Sequence, residues 1–237
     1  MKILRFIKKI YNRYLLFSAK RSSESYCEYL RSKGIQIGYG THIDADSCII
    51  DYTRPSLVTI GENCYLNRNF TLLTHDWVSH VFLHCGLGFL NSSGKVTIGN
   101  NVGFGQNVIV LKGVSIGDNC FIGANSVVTK SIPSNSVAVG APAKVIMTLE
   151  EYYKKRLAAS EAEALEYAKS IQERFNRRPV VTDFWEEFPF FVSGNEVDCY
   201  PELPIKRQLG KGFQRYVKEH NAKYGSFEDF LNAAGVK

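Results

Sequence analysis

Residues Val96–Lys144 read VTIGNNVGFGQNVIVLKGVSIGDNCFIGANSVVTKSIPSNSVAVGAPAK. In this stretch Ile98, Phe104, Val110, Ile116, Ile122 and Val128 recur every six residues without a slip. An α-helix repeats near 3.6 residues and an ordinary strand alternates at two, so neither explains a period of six. A solenoid does: each hexapeptide forms a short flat face, points one large apolar side chain inward, and then turns. Glycine follows four of these positions or their equivalents (Gly99, Gly105, Gly117, Gly123). The remaining corner positions hold Asn100, Asn101, Asn107, Asp118, Asn119 and Asn125. Glycine and asparagine tolerate the positive φ that a tight corner demands.

Outward from this stretch the same period appears at Ile37, Ile43 and Ile49, breaks over Asp51–Ser56 around Pro55, and resumes at Ile60, Leu66 and Leu72. A longer break, 73–95, precedes Val96. The solenoid is therefore expected over 35–147, as an all-β body of four to five three-sided coils with about 18 residues in each. Two flanking segments differ in character. Residues 1–34 read as two helices, the first over 2–20 and the second over Ser22–Lys33, ending at Gly34. Residues 148–237 read as a mainly helical extension: a long helix over Leu149–Arg177 stopped by Pro179, then short helices over 210–221 and 226–234 with Ser226 as N-cap. The aromatic run Phe184–Phe191 is expected to pack against the solenoid.

The formal charge of +6 is local. Residues 1–21 carry Lys2, Arg5, Lys8, Lys9, Arg13, Lys20 and Arg21 and no acid, leaving 22 basic against 23 acidic residues elsewhere. A nucleic-acid-binding body is excluded on that ground. Along 2–20, Ile3, Phe6, Ile7, Ile10, Tyr14 and Phe17 share one side of a helical wheel, and Lys2, Arg5, Lys9, Arg13 and Lys20 lie largely on another. Such a helix either caps the open end of the solenoid or rests on an anionic membrane surface. No stretch is long enough to span a bilayer, and Lys and Arg interrupt the N-terminal apolar positions too often for a secretory signal. The six cysteines (Cys27, Cys48, Cys64, Cys85, Cys120, Cys199) show no Cys-x-x-Cys spacing and read as reduced thiols of a cytoplasmic protein.

A solenoid face needs something protruding from it to build a site, so the 73–95 loop is where chemistry is expected. It opens LLTHDWVSH and carries His75, His80 and His84. His75 stands where the coils break, beside Asp76, which can orient an imidazole, and Trp77, which can line a pocket. Zinc held by the three histidines is a weak alternative, because all three lie in one loop rather than on a rigid frame, so no metal is expected.

The run IGNNVGFGQNV…GVSIGDNCFIGANSVVTKSIP…VAVGAPAKVI resembles the hexapeptide-repeat acyltransferases, whose fold is a left-handed parallel β-helix. It is most similar to the maltose, galactoside and capsular-polysaccharide O-acetyltransferases. The resemblance covers residues 57–147 well and 35–56 more loosely. It implies acetyl-CoA as donor and a saccharide hydroxyl as acceptor, in surface polysaccharide (capsule or O-antigen) biosynthesis. It also implies a homotrimer with sites between subunits; the cysteine usage places the chain in the cytoplasm, and the membrane reading of residues 2–20 would associate it with the inner face of the membrane. His75 matches the family's general base. Gly105, Gly123, Ala124, Thr129, Lys130 and Lys144 match donor-contacting positions, where small residues admit the pantetheine arm and lysines offset phosphates. Asn69 and Trp77 are the expected acceptor contacts, and the turn at Gly103–Gln106 is the expected oxyanion donor. Acetylation of an amino sugar nucleotide, acetylation of an antibiotic, and a purely structural role are the competing readings.

Overall fold

The computed structural model describes residues 2–236; the side chains of Lys2, Ile3, Leu4, Arg5, Lys8 and Lys9 lie outside the described residues, and with them the expected placement of Ile3, Lys2, Arg5 and Lys9 around the first helix. The chain divides into two compact units, one up to Tyr153 and one from Lys154.

In the first unit the six-residue period becomes three stacked faces. One face stacks Gln36–Ile37, Val58–Ile60, Val96–Ile98 and Ser115–Ile116. The second stacks His42–Ile43, Tyr65–Leu66, Gly103–Phe104, Phe121–Ile122 and Ser136–Gly140, and ends on Ala143–Thr148. The third stacks Ile49–Ile50, Thr71–Leu72, Ile109–Val110 and Val127–Val128. All pairs are parallel except the last on the second face, where Ser136–Gly140 and Ala143–Thr148 run antiparallel and close that end. The result is a parallel β-solenoid.

One large apolar residue per face fills the interior, as the periodicity requires: Ile60, Leu66, Leu72, Ile98, Phe104, Val110, Ile116, Ile122 and Val128 are all buried. Burying each such side chain stabilises the fold by roughly 1.5–3 kcal/mol. The period slips in the first coil. Ile49 is 58% exposed and its neighbour Ile50 is the buried residue. The corner 44–48 is one residue longer than a strict hexapeptide, and Cys48 fills it, its thiol donating to the carbonyls of Leu66 and Asn67. Cys64 and Cys120 are buried within the period, and all six cysteines are free.

The corners follow the side-chain chemistry. Asn69, Asn101, Asn107, Asn119 and Asn125 have φ between +55° and +60°. Their amides form ladders: Asn101 donates to Asn119 at 2.9 Å, and Asn69 to Asn107 and Asn107 to Asn125 at 2.9 Å. Asn100 and Asp118 serve the corner differently, through the Asn100 amide N–H donated to Asp118 Oδ1.

Helix α1 (Lys2–Ala19) and helix α2 (Ser23–Ser32) precede the first coil, and Ser22 caps α2 by accepting from the Ser25 N–H. The cap of the solenoid is α2. Its Tyr26, Cys27 and Leu30 join the solenoid core, and Arg31 donates to the edge carbonyls of Ile37 and Gly38 at 2.9 and 3.0 Å. Such a lid satisfies the open edge of the first coil. Among the described side chains of α1, those that pack inward on the core are Leu16 and Ala19, in its last turn. Phe6, Ile7, Ile10, Tyr14 and Phe17 are 53–74% exposed. The apolar side of α1 is not what closes the coil.

The long break after Leu72 contains helix α3 (Val78–His84). Helix α4 (Leu149–Phe175) is stabilised at its start by Glu151, whose carboxylate accepts from the Thr148 N–H and hydroxyl. Beyond it the second unit holds α5 (Ile205–Leu209), α6 (Phe213–Glu219) and α7 (Phe227–Ala233), the last capped by Ser226 as its sequence foretold. The expectation that Phe184–Phe191 packs on the solenoid is corrected. Phe184, Phe188 and Phe191 form this unit's own core with Ala164, Ala168, Ile171, Phe230 and Leu231. The small Ala164 and Ala168 on α4 leave room for large rings beside them, and Phe184 and Phe191 meet edge-to-face with centroids 6.2 Å apart.

Candidate active site

The two breaks in the repeat meet on one edge of the solenoid, where the third face turns into the first. Backbone hydrogen bonds stack that edge: Asp51 N–H donates to Leu72, Leu73 to Val110, and Leu111 to Val128. Asp51, Leu73, Leu111 and Thr129 therefore occupy successive coils of the same edge. His75 follows two residues after Leu73, and the loop neck is pinned there by a bridge between His75 and Ser93 and by the Gly94 N–H donating to Thr74.

The His75 ring is held by Asp51, with Nδ1 2.7 Å from Oδ2. The Asp51 side chain is 6% exposed and the His75 side chain 23%. The same carboxylate accepts from the Thr53 N–H and hydroxyl at 3.0 and 2.6 Å, from the Thr74 N–H at 3.2 Å, and from the Thr74 hydroxyl. Burial pushes the Asp51 carboxyl up, but the hydrogen bonds from Thr53, Thr74 and His75 outweigh it and hold the group far below the ordinary carboxylate range. An ionised carboxylate only accepts, so Nδ1 donates a proton to Asp51, and in the neutral ring it is Nε2 that carries the lone pair. The ring is held in one orientation.

This corrects the expectation that Asp76 orients the ring. Asp76 turns away to Lys112, 2.5 Å off, and its other oxygen accepts from the Val78 N–H at the start of α3. The Lys112 ammonium, assisted by the Val78 N–H and Ser92, holds the Asp76 carboxyl down at about 2. Asp76 thus fastens the base of the loop to the third coil.

His75 opens on a cavity of about 430 Å³, whose wall also includes Arg54, Trp77, His80, Phe89, Asn91 and Ser92. Trp77 is 81% exposed, its ring centroid 6.4 Å from that of His75. His80 and His84 belong to α3, where His84 Nδ1 lies 2.7 Å from the His80 carbonyl. Among the described residues no group of three His, Cys, Asp or Glu side chains is arranged to hold a metal.

The other expected site residues lie outside this cavity wall. Asn69 belongs to the amide ladder at a corner. Gly105 and Ala124 stack at one corner of successive coils, and a Cβ on Gly105 would come within 2.5 Å of the Ala124 nitrogen. A Cβ on Gly123 would meet the Val139 side chain at 2.6 Å. Close stacking of coils thus accounts for both glycines. Thr129 and Lys130 are exposed on the His75 edge, two coils on, and Lys144 is exposed on the closing strand. Among the described residues Lys130 and Lys144 make no ion pair, so both cations remain available to an anionic ligand. Within the turn Gly103–Gln106, expected to supply the oxyanion donor, the N–H groups of Gly103 and Gly105 donate to the carbonyls of Cys120 and Ile122 at 2.9 and 2.8 Å.

A family model described as bacterial transferase hexapeptide (six repeats) matches residues 95–130. Protein CapG of Staphylococcus aureus is 34% identical over 142 residues, covering 60% of this chain and 79% of CapG. The chain belongs to the hexapeptide-repeat transferase family. The galactoside O-acetyltransferase of Escherichia coli (strain K12) is 42% identical over 119 residues, 49% of this chain and 55% of that protein. The chain spans little more than half the length of that relative and of the putative acetyltransferases YvoF of Bacillus subtilis and SAR2635 of S. aureus (59% and 56%). Among solved structures, a galactoside acetyltransferase in complex with coenzyme A is 29% identical, with a TM-score of 0.44 and coverage of 62% of this chain and 83% of that one.

Proposed function

We propose that the chain is an acetyl-CoA-dependent O-acetyltransferase acting on a saccharide hydroxyl in surface polysaccharide biosynthesis, with His75 as general base. The observation that carries the proposal is the Asp51–His75 pair opening on a cavity at the break in the repeat. Similarity to a galactoside O-acetyltransferase supports both the reaction class and a saccharide acceptor. Acetyl-CoA supplies an activated acetyl group as a thioester. Nε2 of His75 takes the proton of the acceptor hydroxyl as that oxygen bonds to the acetyl carbon and the carbon–sulfur bond breaks. Coenzyme A leaves as its thiolate, the proton passes from Nε2 to that sulfur or to water, and Asp51 keeps the ring in the tautomer that can begin again. A positioned base of this kind contributes about 10²–10⁴-fold in rate.

Lys130 and Lys144 are the residues we assign to the donor's phosphates, with Thr129, Ala124, Gly105 and Gly123 along its path. The left-handed sense of the coil and a homotrimer with sites between neighbouring subunits belong to the same proposal and rest on family membership. Location is part of it too. Helix α1 exposes Phe6, Ile7, Ile10, Tyr14 and Phe17, and residues 1–21 carry seven cations and no acid. Such a helix lies at an anionic bilayer surface with its apolar side in the acyl boundary. No described helix is long and apolar enough to cross a membrane.

The test is product analysis with purified protein, acetyl-CoA and a panel of neutral sugars, acidic sugars, amino sugars and antibiotics. The expected product is an alkali-labile acetyl ester of a sugar. An alkali-stable amide would transfer the assignment to N-acetylation, and no acetyl transfer to any acceptor would overturn it.

A further inference from the structure

The first break in the repeat, Asp51–Leu57, brings a second residue to the cavity besides the one that holds His75. Arg54 precedes Pro55, and the proline both starts the short turn Pro55–Leu57 and keeps Arg54 out of helical backbone (φ −128°, ψ 67°). Its side chain forms part of the wall that His75, Trp77, Asn91 and Ser92 also line. Its Nη1 is fully buried and has no hydrogen-bond partner. Among the described residues the guanidinium makes no ion pair.

That condition is costly and unusual. Arginine cannot shed its charge, and buried donors in folded proteins are nearly always paired. The two nearest acids in sequence and in the site are committed elsewhere. Both oxygens of Asp51 accept from Thr53, Thr74 and His75, and Asp76 is held by Lys112 and the Val78 N–H. The unmet donor points to a ligand that brings its own oxyanion. A planar guanidinium fork matches carboxylate and phosphate geometry two-pronged. The exposed Trp77 offers the ring face that a sugar stacks on, and a space of about 430 Å³ is within the usual range for a ligand pocket of roughly 300–1,000 Å³.

We infer that the acceptor is an anionic saccharide, one carrying a carboxylate or a phosphate, and that Arg54 is the specificity-determining residue that clamps this group while presenting a hydroxyl to His75. The inference rests on the acetyl-transfer reading of the same site and goes beyond it in naming the charge of the substrate. It makes discrimination asymmetric: a neutral sugar leaves the guanidinium unpaired, whereas the acid satisfies it.

The experiment compares methyl glucuronide, glucose 6-phosphate and methyl glucoside as acceptors, following coenzyme A release. An anionic probe should be preferred over methyl glucoside by about 10-fold or more in kcat/KM, and whichever of the two anions leads identifies the source of the charge. Arg54→Gln should raise KM for that probe about 10- to 100-fold, the usual range for losing a charge-assisted hydrogen bond. It should remove the preference for that probe over methyl glucoside while KM for acetyl-CoA stays within about 3-fold, and Arg54→Lys should recover part of the loss. Equal use of neutral and anionic probes overturns the inference. So does an Arg54→Gln defect shared by all three acceptors, seen in KM for acetyl-CoA, or seen as a change in assembly state. Calorimetric titration of the anionic probes into His75→Ala protein separates the two readings, because binding does not need turnover. Binding there that Arg54→Gln abolishes supports the clamp even if no acetyl transfer is found. Failure of both anionic probes to bind, in a protein that does acetylate methyl glucoside, overturns the clamp alone.

Discussion

Asp51 and His75 lie 24 residues apart in sequence and one coil apart in space, joined by a 2.7 Å hydrogen bond from Nδ1 to Oδ2. The contact depends on two departures from the hexapeptide rule. The third face ends at Ile50 rather than Ile49, which puts Asp51 at the corner. The next coil then continues through Leu73 and Thr74 before leaving the solenoid, which puts His75 directly over that corner. The Thr53 and Thr74 hydroxyls complete the hydrogen bonding of the carboxylate, so the pair is held by backbone that is itself part of the coil stack. A rigid frame of this kind suits a base whose job is directional.

If His75 is the base, His75→Ala should lower acetyl transfer by about 10²–10⁴-fold. Calorimetric affinity for coenzyme A should stay within a few-fold, since the side chain borders the cavity proposed for the acceptor. Turnover retained at more than a tenth of the wild-type rate would remove the residue from the mechanism.

The two neighbouring aspartates should behave differently. Asp51→Asn can present either a donor or an acceptor to Nδ1 and loses control of the tautomer, so kcat should fall by roughly 10²–10⁴-fold, as for other imidazole-orienting carboxylates. Removing a buried, multiply bonded acceptor should also destabilise the fold by about 1–3 kcal/mol. Asp76→Asn should change kcat by less than about 10-fold, because it loosens an exposed tie to Lys112. Steady-state kinetics on the two variants side by side decides which carboxylate serves the base.

What the sequence made legible was what repetition encodes. The inward positions from Ile60 to Val128, the Asn corners, the Ser226 cap and the exceptional position of His75 all follow from local periodicity or local chemistry. Asp51 was not legible as the partner of His75, because a one-residue slip between Ile43 and Ile50 moved the register of the first coil, and pairing across coils is a non-local property. Adjacency in sequence favoured Asp76, yet the chain turns at the loop neck and sends that side chain to Lys112. The aromatic run Phe184–Phe191 was misplaced for a similar reason: sequence reports that such rings need a partner, and only the fold reports that Ala164 and Ala168 on α4 make room for them.

Acid should act through Asp51. Its carboxyl lies below the ordinary range in the folded state, so the folded chain binds this proton less readily than the unfolded chain does. The stabilisation is therefore fully present above the unfolded value near 3.9 and is lost as pH falls from there toward the folded value. Denaturant unfolding between about pH 6 and pH 2.5 should show a constant stability gap between wild type and Asp51→Asn at the upper end and a closing gap below about pH 4. A gap that stays level through the acid range would show that the Asp51 carboxyl is not depressed.

Stacking of the coils predicts what happens at a residue proposed to line the donor's path. The methyl of Gly105→Ala would sit 2.5 Å from the Ala124 nitrogen, so the coils must separate locally. Thermal unfolding should register a loss of about 1–3 kcal/mol, the usual cost of overpacking. Weaker coenzyme A binding with no change in melting temperature would mean that Gly105 serves the ligand rather than the stack.

The exposed side of α1 gives the last test. Vesicles containing phosphatidylglycerol should sediment the full chain, while vesicles of phosphatidylcholine alone should not, and raising the salt from about 0.1 M to 1 M should weaken the binding as screening shortens from roughly 10 Å to 3 Å. Phe6→Ser with Ile10→Ser removes two exposed apolar side chains and no charge, so it should reduce sedimentation at low salt while leaving thermal unfolding of the solenoid unchanged. Binding that survives this double substitution and responds only to salt would make α1 an electrostatic tether without insertion. Absence of binding to the anionic vesicles would leave the apolar face to a protein contact, and sedimentation equilibrium on the same double variant would then show whether that contact is with a second copy of the chain.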